Sequence, residues 1–405
     1  MTKDENELLT RVCGDAPMGK MIRQHWWIPA LRSAALIGDG KPERVRLFGE
    51  DFVAFRATNG KVGFIDEGCP HRGASMALAL NEENGLRCIF HGWKFSVDGE
   101  TVAVPTQPTH EAEYCKQVPL KHYPVREEGG IVWVWLGKGD TPPKFQNLPF
   151  VGLPEGHCVV HRQRIECNWV QAIETTMDAA HVGVLHQSFL QHEMAAAARN
   201  QAPVYHIKTK EYGFRYAAVR SLPEDDSQAY VRTNSFVMPW SSVISPRRAA
   251  EHTRAQLFFC VPIDDENTWY WHMSYVQDYP VPYDPYLFPE DRDNWPPVVS
   301  RTGDDNWGQN RVVMRGTHFS GFPQTLGTED FAVLLSQGKI VDRTKEFLGA
   351  GDGAIVQVRR CLMNSAKEFM DKKTPELAKH DRIDYQSIRP IGGLYPANTD
   401  WKELL

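Results

Sequence analysis

Cys69-Pro70-His71-Arg72-Gly73 and Cys88-Ile89-Phe90-His91-Gly92-Trp93 are the two stretches on which the reading of this 405-residue chain turns. Their pattern is Cys-x-His, sixteen residues, then Cys-x-x-His. Two thiolates and two imidazoles on a pair of short loops make a four-ligand metal set. A structural zinc accepts the same groups in a tetrahedron. The way the ligands are divided favours a two-iron cluster instead. Each loop carries one cysteine and one histidine, as needed if one iron takes both thiolates and the other both imidazoles. Gly73 and Gly92 are expected to free backbone N–H groups to approach the bridging sulfides, which a zinc ion would not need. Cys69, His71, Cys88 and His91 are therefore the candidate cluster ligands.

The sequence around these loops has the two-residue period of strands. Asp51-Phe-Val-Ala-Phe-Arg and Lys61-Val-Gly-Phe-Ile-Asp flank Asn59-Gly60, a pair that tolerates positive φ and predicts a hairpin. Asp98-Gly99 is a second turn, and Gly129-Gly130 precedes the strand-like run Ile131-Val-Trp-Val-Trp-Leu. Residues 41–150 are thus predicted to form a small all-β domain, closed by a proline-bearing stretch from Thr141 to Pro154. Residues 1–40 read as a mostly helical segment packing on the larger domain, because Leu8, Leu9, Val12, Met18, Met21 and Ile22 recur at spacings near three and four. Residues 151–405 mix strand runs (204–219, 229–244, 255–261) with helical runs (169–190, 331–337, 354–370), the pattern of an α+β domain with an antiparallel sheet. The stretch from Tyr279 to Pro297 holds six prolines and no period, and reads as a long surface loop or lid over the site.

Composition narrows the function classes. The chain is 42% hydrophobic and 24% charged, and its formal charge of −6 argues against a nucleic-acid binder. Apolar runs such as 131–136 are far short of a membrane span. The acidic N-terminus lacks the layout of a signal peptide, so a cytoplasmic protein is expected. In a reducing compartment the eight cysteines read as metal ligands or buried thiols, not as a disulfide framework. Beyond Cys69 and Cys88, the other six (Cys13, Cys115, Cys158, Cys167, Cys260 and Cys361) match no ligand spacing.

A second constellation lies in Asn168-Trp-Val-Gln-Ala-Ile-Glu174-Thr-Thr-Met-Asp178-Ala-Ala-His181-Val-Gly-Val-Leu-His186. Two histidines with nearby carboxylates supply most of a 2-His-1-carboxylate triad, which binds ferrous iron on one face and leaves positions open for O₂. On an ideal helix, five residues place His181 and His186 about 140° apart, too far round to share one metal. Local unwinding or a π-bulge, eased by Gly183, would bring them together. Asp178, three residues before His181, could ligate, orient a ligand or point elsewhere.

Together the two constellations resemble the Rieske non-haem iron aromatic-ring-hydroxylating oxygenases. Cys-Pro-His-Arg-Gly with Cys-Ile-Phe-His-Gly-Trp-Lys-Phe is similar to the loop pair of Rieske [2Fe-2S] domains, without the additional loop cysteines of the respiratory type. Asp178-x-x-His181-x-x-x-x-His186 resembles the catalytic domain's iron motif. Glu7-Leu-Leu-Thr-Arg, Gly14-Asp-Ala-Pro-Met-Gly and Ser336-Gln-Gly-Lys-Ile-Val-Asp-Arg-Thr look like the phthalate dioxygenase-like branch of alpha subunits.

The resemblance implies an α+β fold. It pairs an all-β Rieske domain with a larger helix-grip domain, whose antiparallel sheet is flanked by helices. It also implies that His181 and His186 ligate iron and that Asp178 hydrogen-bonds to ligand histidines, linking the cluster of a neighbouring subunit to that iron. The third ligand is a late carboxylate: in Thr328-Glu329-Asp330-Phe331 the matching position is Asp330, with Glu329 the alternative. The implied protein is a homotrimeric terminal oxygenase carrying one 2Fe-2S cluster and one mononuclear Fe(II) per chain. It uses O₂ to hydroxylate a small aromatic compound, or by the same chemistry to dealkylate an aryl ether or amide. The chain has no Gly-x-Gly-x-x-Gly fingerprint and no all-cysteine cluster motif, so NAD(P)H electrons are expected through a separate flavin and iron–sulfur reductase or a ferredoxin. Arg215 and Arg232 are candidate anchors for a substrate carboxylate. The rival reading is a Rieske electron-transfer protein without oxygenase activity.

Overall fold

The computed structural model describes residues 1–245 and 253–405. The chain divides into two compact units: Ile22–Phe145, and Met1–Met21 with Gln146–Leu405. The 1–40 segment is therefore split. Its helices Lys3–Thr10 and Pro17–His25 are followed by a strand, Ile28–Arg32, which was expected to be helical. That strand pairs with Ile131–Val134 and so belongs to the smaller unit.

The smaller unit holds two three-stranded sheets and one four-stranded sheet, all antiparallel. Each expected turn joins two paired strands. Glu50–Arg56 pairs with Val62–Asp66 around Asn59-Gly60, Lys94–Ser96 with Thr101–Ala103 around Asp98-Gly99, and Val125–Glu128 with Ile131–Val134 around Gly129-Gly130. One short helix, Glu111–Cys115, interrupts the β pattern. Val53, Phe55, Ile65, Leu86, Trp93 and Phe95 form the core, and Cys69 and Cys88 are buried against it.

The larger unit is built on an eight-stranded antiparallel sheet. Its order is Cys158–Ile165, Thr268–Val276, Arg254–Pro262, Ser241–Ile244, Asp225–Val237, Gly213–Leu222 and Val204–Lys210, with Gly392–Pro396 also pairing to Asp225–Val237. The helix Trp169–Met177 is buried almost all round, so it carries no polar stripe. Its start is fixed by Asn168, whose side chain accepts from Val170 N–H and donates to the Thr10 and Asp265 carbonyls. Its one buried charge is Glu174, which bonds Arg343 at 2.8 Å and Arg359 at 2.6 Å. Arg359 lies on the helix Gly353–Met370 and also bonds Glu346. Burial works against the Glu174 charge, but the two guanidiniums outweigh it and hold the carboxyl below its ordinary range.

The stretch from Tyr279 to Pro297 has neither helix nor strand. It is tied down by Val281 and Leu287, which are buried with Val159 and Val276. All eight cysteines are free; Cys167, Cys260 and Cys361 are buried like Cys69 and Cys88, whereas Cys13, Cys115 and Cys158 are only half-buried. Among the described residues no helix is long and apolar enough to cross a membrane.

Removing one member of a buried ion network leaves the others uncompensated, at a cost of about 3–5 kcal/mol. Glu174→Ala should therefore lower the unfolding free energy of the larger unit by about that much, read as a fall in the denaturant midpoint. A change under about 0.5 kcal/mol would mean that Arg343 and Arg359 find other partners.

Candidate metal centres and substrate pocket

The two cysteine loops have the same internal hydrogen bonding. Cys69 N–H donates to Ala74 O and Gly73 N–H to Cys69 O; Cys88 N–H donates to Trp93 O and Gly92 N–H to Cys88 O, all at 2.8–2.9 Å. The glycine N–H groups therefore close the turns and are not available to a sulfide, contrary to the sequence expectation. What each position requires is positive φ: Gly73 is at +74° and Gly92 at +76°. The two thiols lie together in the core, where burial first, and then the neighbouring Cys88, pushes the Cys69 thiol up to about 11. The two imidazoles lie at the rim, with ring centroids 4.4 Å apart. His71 also stacks on Trp93, 4.5 Å away and within 8° of parallel. His91 Nδ1 is buried with no hydrogen-bond partner among the described residues. An inner thiol pair, an outer imidazole pair and an orphaned ring nitrogen fit a cluster that takes two ligands of each kind.

In the larger unit the expected continuous helix over 169–190 is broken. It ends at Met177, and Asp178 turns extended (φ −80°, ψ 120°) before a short helix resumes at Ala180–Val184. The Asp178 carboxylate serves the helix that follows the break: Oδ1 accepts from Ala180 N–H at 2.7 Å and Oδ2 pairs with His181 Nδ1 at 3.1 Å. His186 lies past the end of the short helix, and the two imidazole centroids come within 5.1 Å. Gly183, in the short helix, admits the backbone of Ala197, whose carbonyl oxygen a Cβ would meet at 2.2 Å.

Asp330 completes the set. Its helix runs Leu326–Ser336, starting five residues before the expected helix at 331, because Thr325 caps it by accepting from Thr328 N–H. Asp330 Oδ1 is 3.1 Å from His186 Nε2 and 3.6 Å from His181 Nε2, and one ligand atom from each residue lies within 4.8 Å of the others. That oxygen is buried with no hydrogen bond reaching it among the described residues. Both Nδ1 atoms are held from behind by carboxylates, His181 by Asp178 and His186 by Glu329 at 2.5 Å. Two imidazoles with Nε2 turned to one carboxylate oxygen, and Nδ1 turned to another carboxylate, fit a divalent metal. Burial opposes a charge on His186, yet Asp330 and then Glu329 outweigh it and push its pKa up to about 10. Glu329 was foreseen only as an alternative ligand; its position beside Asp330 was the one signal in the sequence.

A cavity opens on these three residues. Its walls include Phe258, Tyr270, His272 and Tyr286, with Arg232, Asn234 and Gln256 as polar groups. Tyr286 and Pro296 come from the proline-rich stretch. Arg232 is buried and its Nε donates to Ser245 Oγ at 2.9 Å. Arg215 stands on the other face of the sheet. It pairs in register with Ser235, one residue out of step with the pocket-facing Arg232 and Asn234, and it donates to Thr233. Arg220, not anticipated from the sequence, is buried and donates to Ala179 O, bracing the Asp178 turn.

Comparison with known proteins gives the same picture. Residues 26–124 match the Rieske [2Fe-2S] domain family and residues 134–405 the LigXa C-terminal domain like family. The Pseudomonas putida phthalate 4,5-dioxygenase oxygenase subunit is 36% identical over all of this chain and 94% of its own length. The Comamonas testosteroni 3-chlorobenzoate-3,4-dioxygenase oxygenase subunit is 33% identical, over 99% and 97%. A solved structure of Pseudomonas putida CBB5 NdmA, a QL mutant with theobromine, superposes with a TM-score of 0.61 at 16% identity, covering 93% of this chain and 98% of that one. The chain belongs to the Rieske non-haem iron aromatic-ring-hydroxylating oxygenases. Within them it is a terminal oxygenase subunit of the phthalate dioxygenase-like branch, and so an oxidoreductase.

A metal ligand must be neutral imidazole, so at pH 7 an incoming ion has to displace the His186 proton. Fe(II) or Zn(II) binding to protein lacking the mononuclear metal should release about one proton per ion at pH 7. Affinity should also rise about tenfold per pH unit until pH approaches 10, the value to which His186 is pushed. Calorimetry in buffers of different ionisation enthalpy measures this; binding without proton release would exclude His186 as a charged resident of the free site.

Proposed function

We propose that this chain hydroxylates an aromatic carboxylate with O₂, using NAD(P)H-derived electrons from a separate reductase or ferredoxin. The cluster is held by Cys69, His71, Cys88 and His91, and the mononuclear Fe(II) by His181, His186 and Asp330. Together the two centres supply the one-electron chemistry that O₂ activation needs. The chain's residues do the rest. Asp178 and Glu329 orient the ligand imidazoles, and the aromatic wall of Phe258, Tyr270 and Tyr286 takes the substrate ring. Arg232 receives the carboxylate, and that is the observation carrying this reading. It is a buried guanidinium fixed by its Nε, whose terminal nitrogens have no bonding partner among the described residues, in the same cavity as the iron ligands. A forked guanidinium matches a carboxylate bidentately, and a buried one recovers its desolvation only with an anion. The relatives named for phthalate and 3-chlorobenzoate dioxygenases support the same substrate class.

The cluster ligands and the iron ligands belong to different compact units. A homotrimer packed head to tail, with the partly exposed Asp178 at each junction, would shorten the electron path between neighbouring subunits.

The test is a screen of aromatic acids and their neutral analogues with a compatible reductase, reading coupled O₂ uptake and product mass. Aromatic acids should be turned over. Arg232→Gln should weaken them by about 2–5 kcal/mol, or roughly 30-fold and more in KM, while leaving neutral aromatics little changed. Equal effects on acids and neutral analogues would remove Arg232 as the anchor.

Asp178→Asn should keep three irons and two sulfides per chain and the visible spectrum of the cluster, yet slow single-turnover electron transfer strongly. Wild-type rates in that variant would refute the bridging role, and two irons per chain in the wild type would return the protein to pure electron transfer.

A further inference from the structure

The two ligand histidines are held by carboxylates of very different character. Asp178 is one-quarter exposed and shares its charge with the backbone at the helix break. Glu329 is fully buried. Its Oε2 accepts from His186 Nδ1–H, and its Oε1 accepts from Ser320 Oγ. Ser320 is itself buried and fixed by Phe322 N–H and His318. Among the described residues no lysine or arginine pairs with Glu329; its ion-pair neighbours are His186 and, at 4.0 Å, His318. A buried carboxylate needs a compensating cation nearby. Among the described residues, the imidazole in hydrogen-bond contact with it is that of His186, whose other nitrogen faces Asp330 and the ion position.

We infer that Glu329 is a positioning residue for the mononuclear metal. Its carboxylate fixes the His186 tautomer with Nε2 toward the ion, makes that nitrogen a stronger donor, and adds a negative charge that does not reach the metal itself. Ser320 and His318 hold the carboxylate in place. The inference rests on the reading of His181, His186 and Asp330 as the iron ligands. Hydrogen-bonding partners behind a ligand histidine typically govern metal affinity by about 10–100-fold. Asp178 and Glu329 then have separate tasks. Asp178 lies where it can meet another molecule, whereas Glu329 is sealed inside and acts on the ion alone.

The experiment measures Fe(II) affinity by chelator competition in the full-length protein, with the visible absorption of the cluster and the melting temperature as controls for folding. Glu329→Gln, which keeps the shape and removes the charge, should weaken Fe(II) by about 10–100-fold with cluster absorption intact. Glu329→Asp should recover part of the loss. Ser320→Ala, which touches no ligand, should weaken binding in the same direction by less. A merely structural role would lower the melting temperature of both Glu329 variants while the folded protein binds Fe(II) at wild-type strength, and that result overturns the inference. Should Glu329→Gln fail to fold, wild-type affinity in Ser320→Ala and Glu329→Asp together overturns it as well. His186→Ala separates the two levels: if it retains wild-type Fe(II) affinity, the ligand assignment fails, and with it the premise.

Discussion

The candidate iron site depends on one interrupted helix. Had the short helix Ala180–Val184 run on through His186, His181 and His186 would face directions about 140° apart; it ends at Val184, and the two rings come within 5.1 Å. Upstream of both histidines the chain leaves the helical region at Asp178 and re-enters it at Ala179, and a single carboxylate makes the break tolerable. One of its oxygens satisfies an N–H of the new helix and the other holds the first imidazole. The break could drift if its flanks were loose, but both are pinned. Asn168 ties the helix start to Thr10 and Asp265, Glu174 ties its middle to two arginines, and Arg220 braces the turn at Ala179. Ligand geometry is thus inherited from backbone hydrogen bonds far from the metal position.

Electrostatics then separates the site's parts. Three carboxylates and two imidazoles surround one cation position, and this excess of negative charge pushes the His186 pKa up. On the cavity side the wall is aromatic, with one buried guanidinium, Arg232, among the described residues. The sheet's two-residue period assigns these roles: Arg232 and Asn234 face the cavity, and Arg215 is excluded by register. In the smaller unit the pressure is different. Its two loops repeat one turn geometry, and positive φ at Gly73 and Gly92 lets each chain fold back on its cysteine.

Much of this was legible from local sequence. The Cys-x-His and Cys-x-x-His loops, the Asn-Gly, Asp-Gly and Gly-Gly turns, the antiparallel strands and the Asp178, His181 and His186 cluster all depend on neighbours within a few residues. Residue type and spacing carry such information directly. The early boundaries were less legible, because Ile28–Arg32 becomes a strand only by pairing with Ile131–Val134, about a hundred residues away. The Asp330 helix also starts earlier than expected, with Gly327 in its first turn. That glycine stands there because Pro296 approaches closer than a Cβ would permit.

What the sequence by itself determined is the chemistry available: which side chains can ligate, which turns can form, and that two candidate metal sites share one chain. The tertiary structure alone decided which of two adjacent carboxylates faces the ion and which stands behind His186, because Glu329 and Asp330 are separated only by the 100° step of one helical residue. It alone decided that Arg232 and not Arg215 reaches the cavity, because that choice belongs to strand register. Both are long-range outcomes, set when a helix from residue 326 and a sheet from residue 204 close on a turn at residue 178.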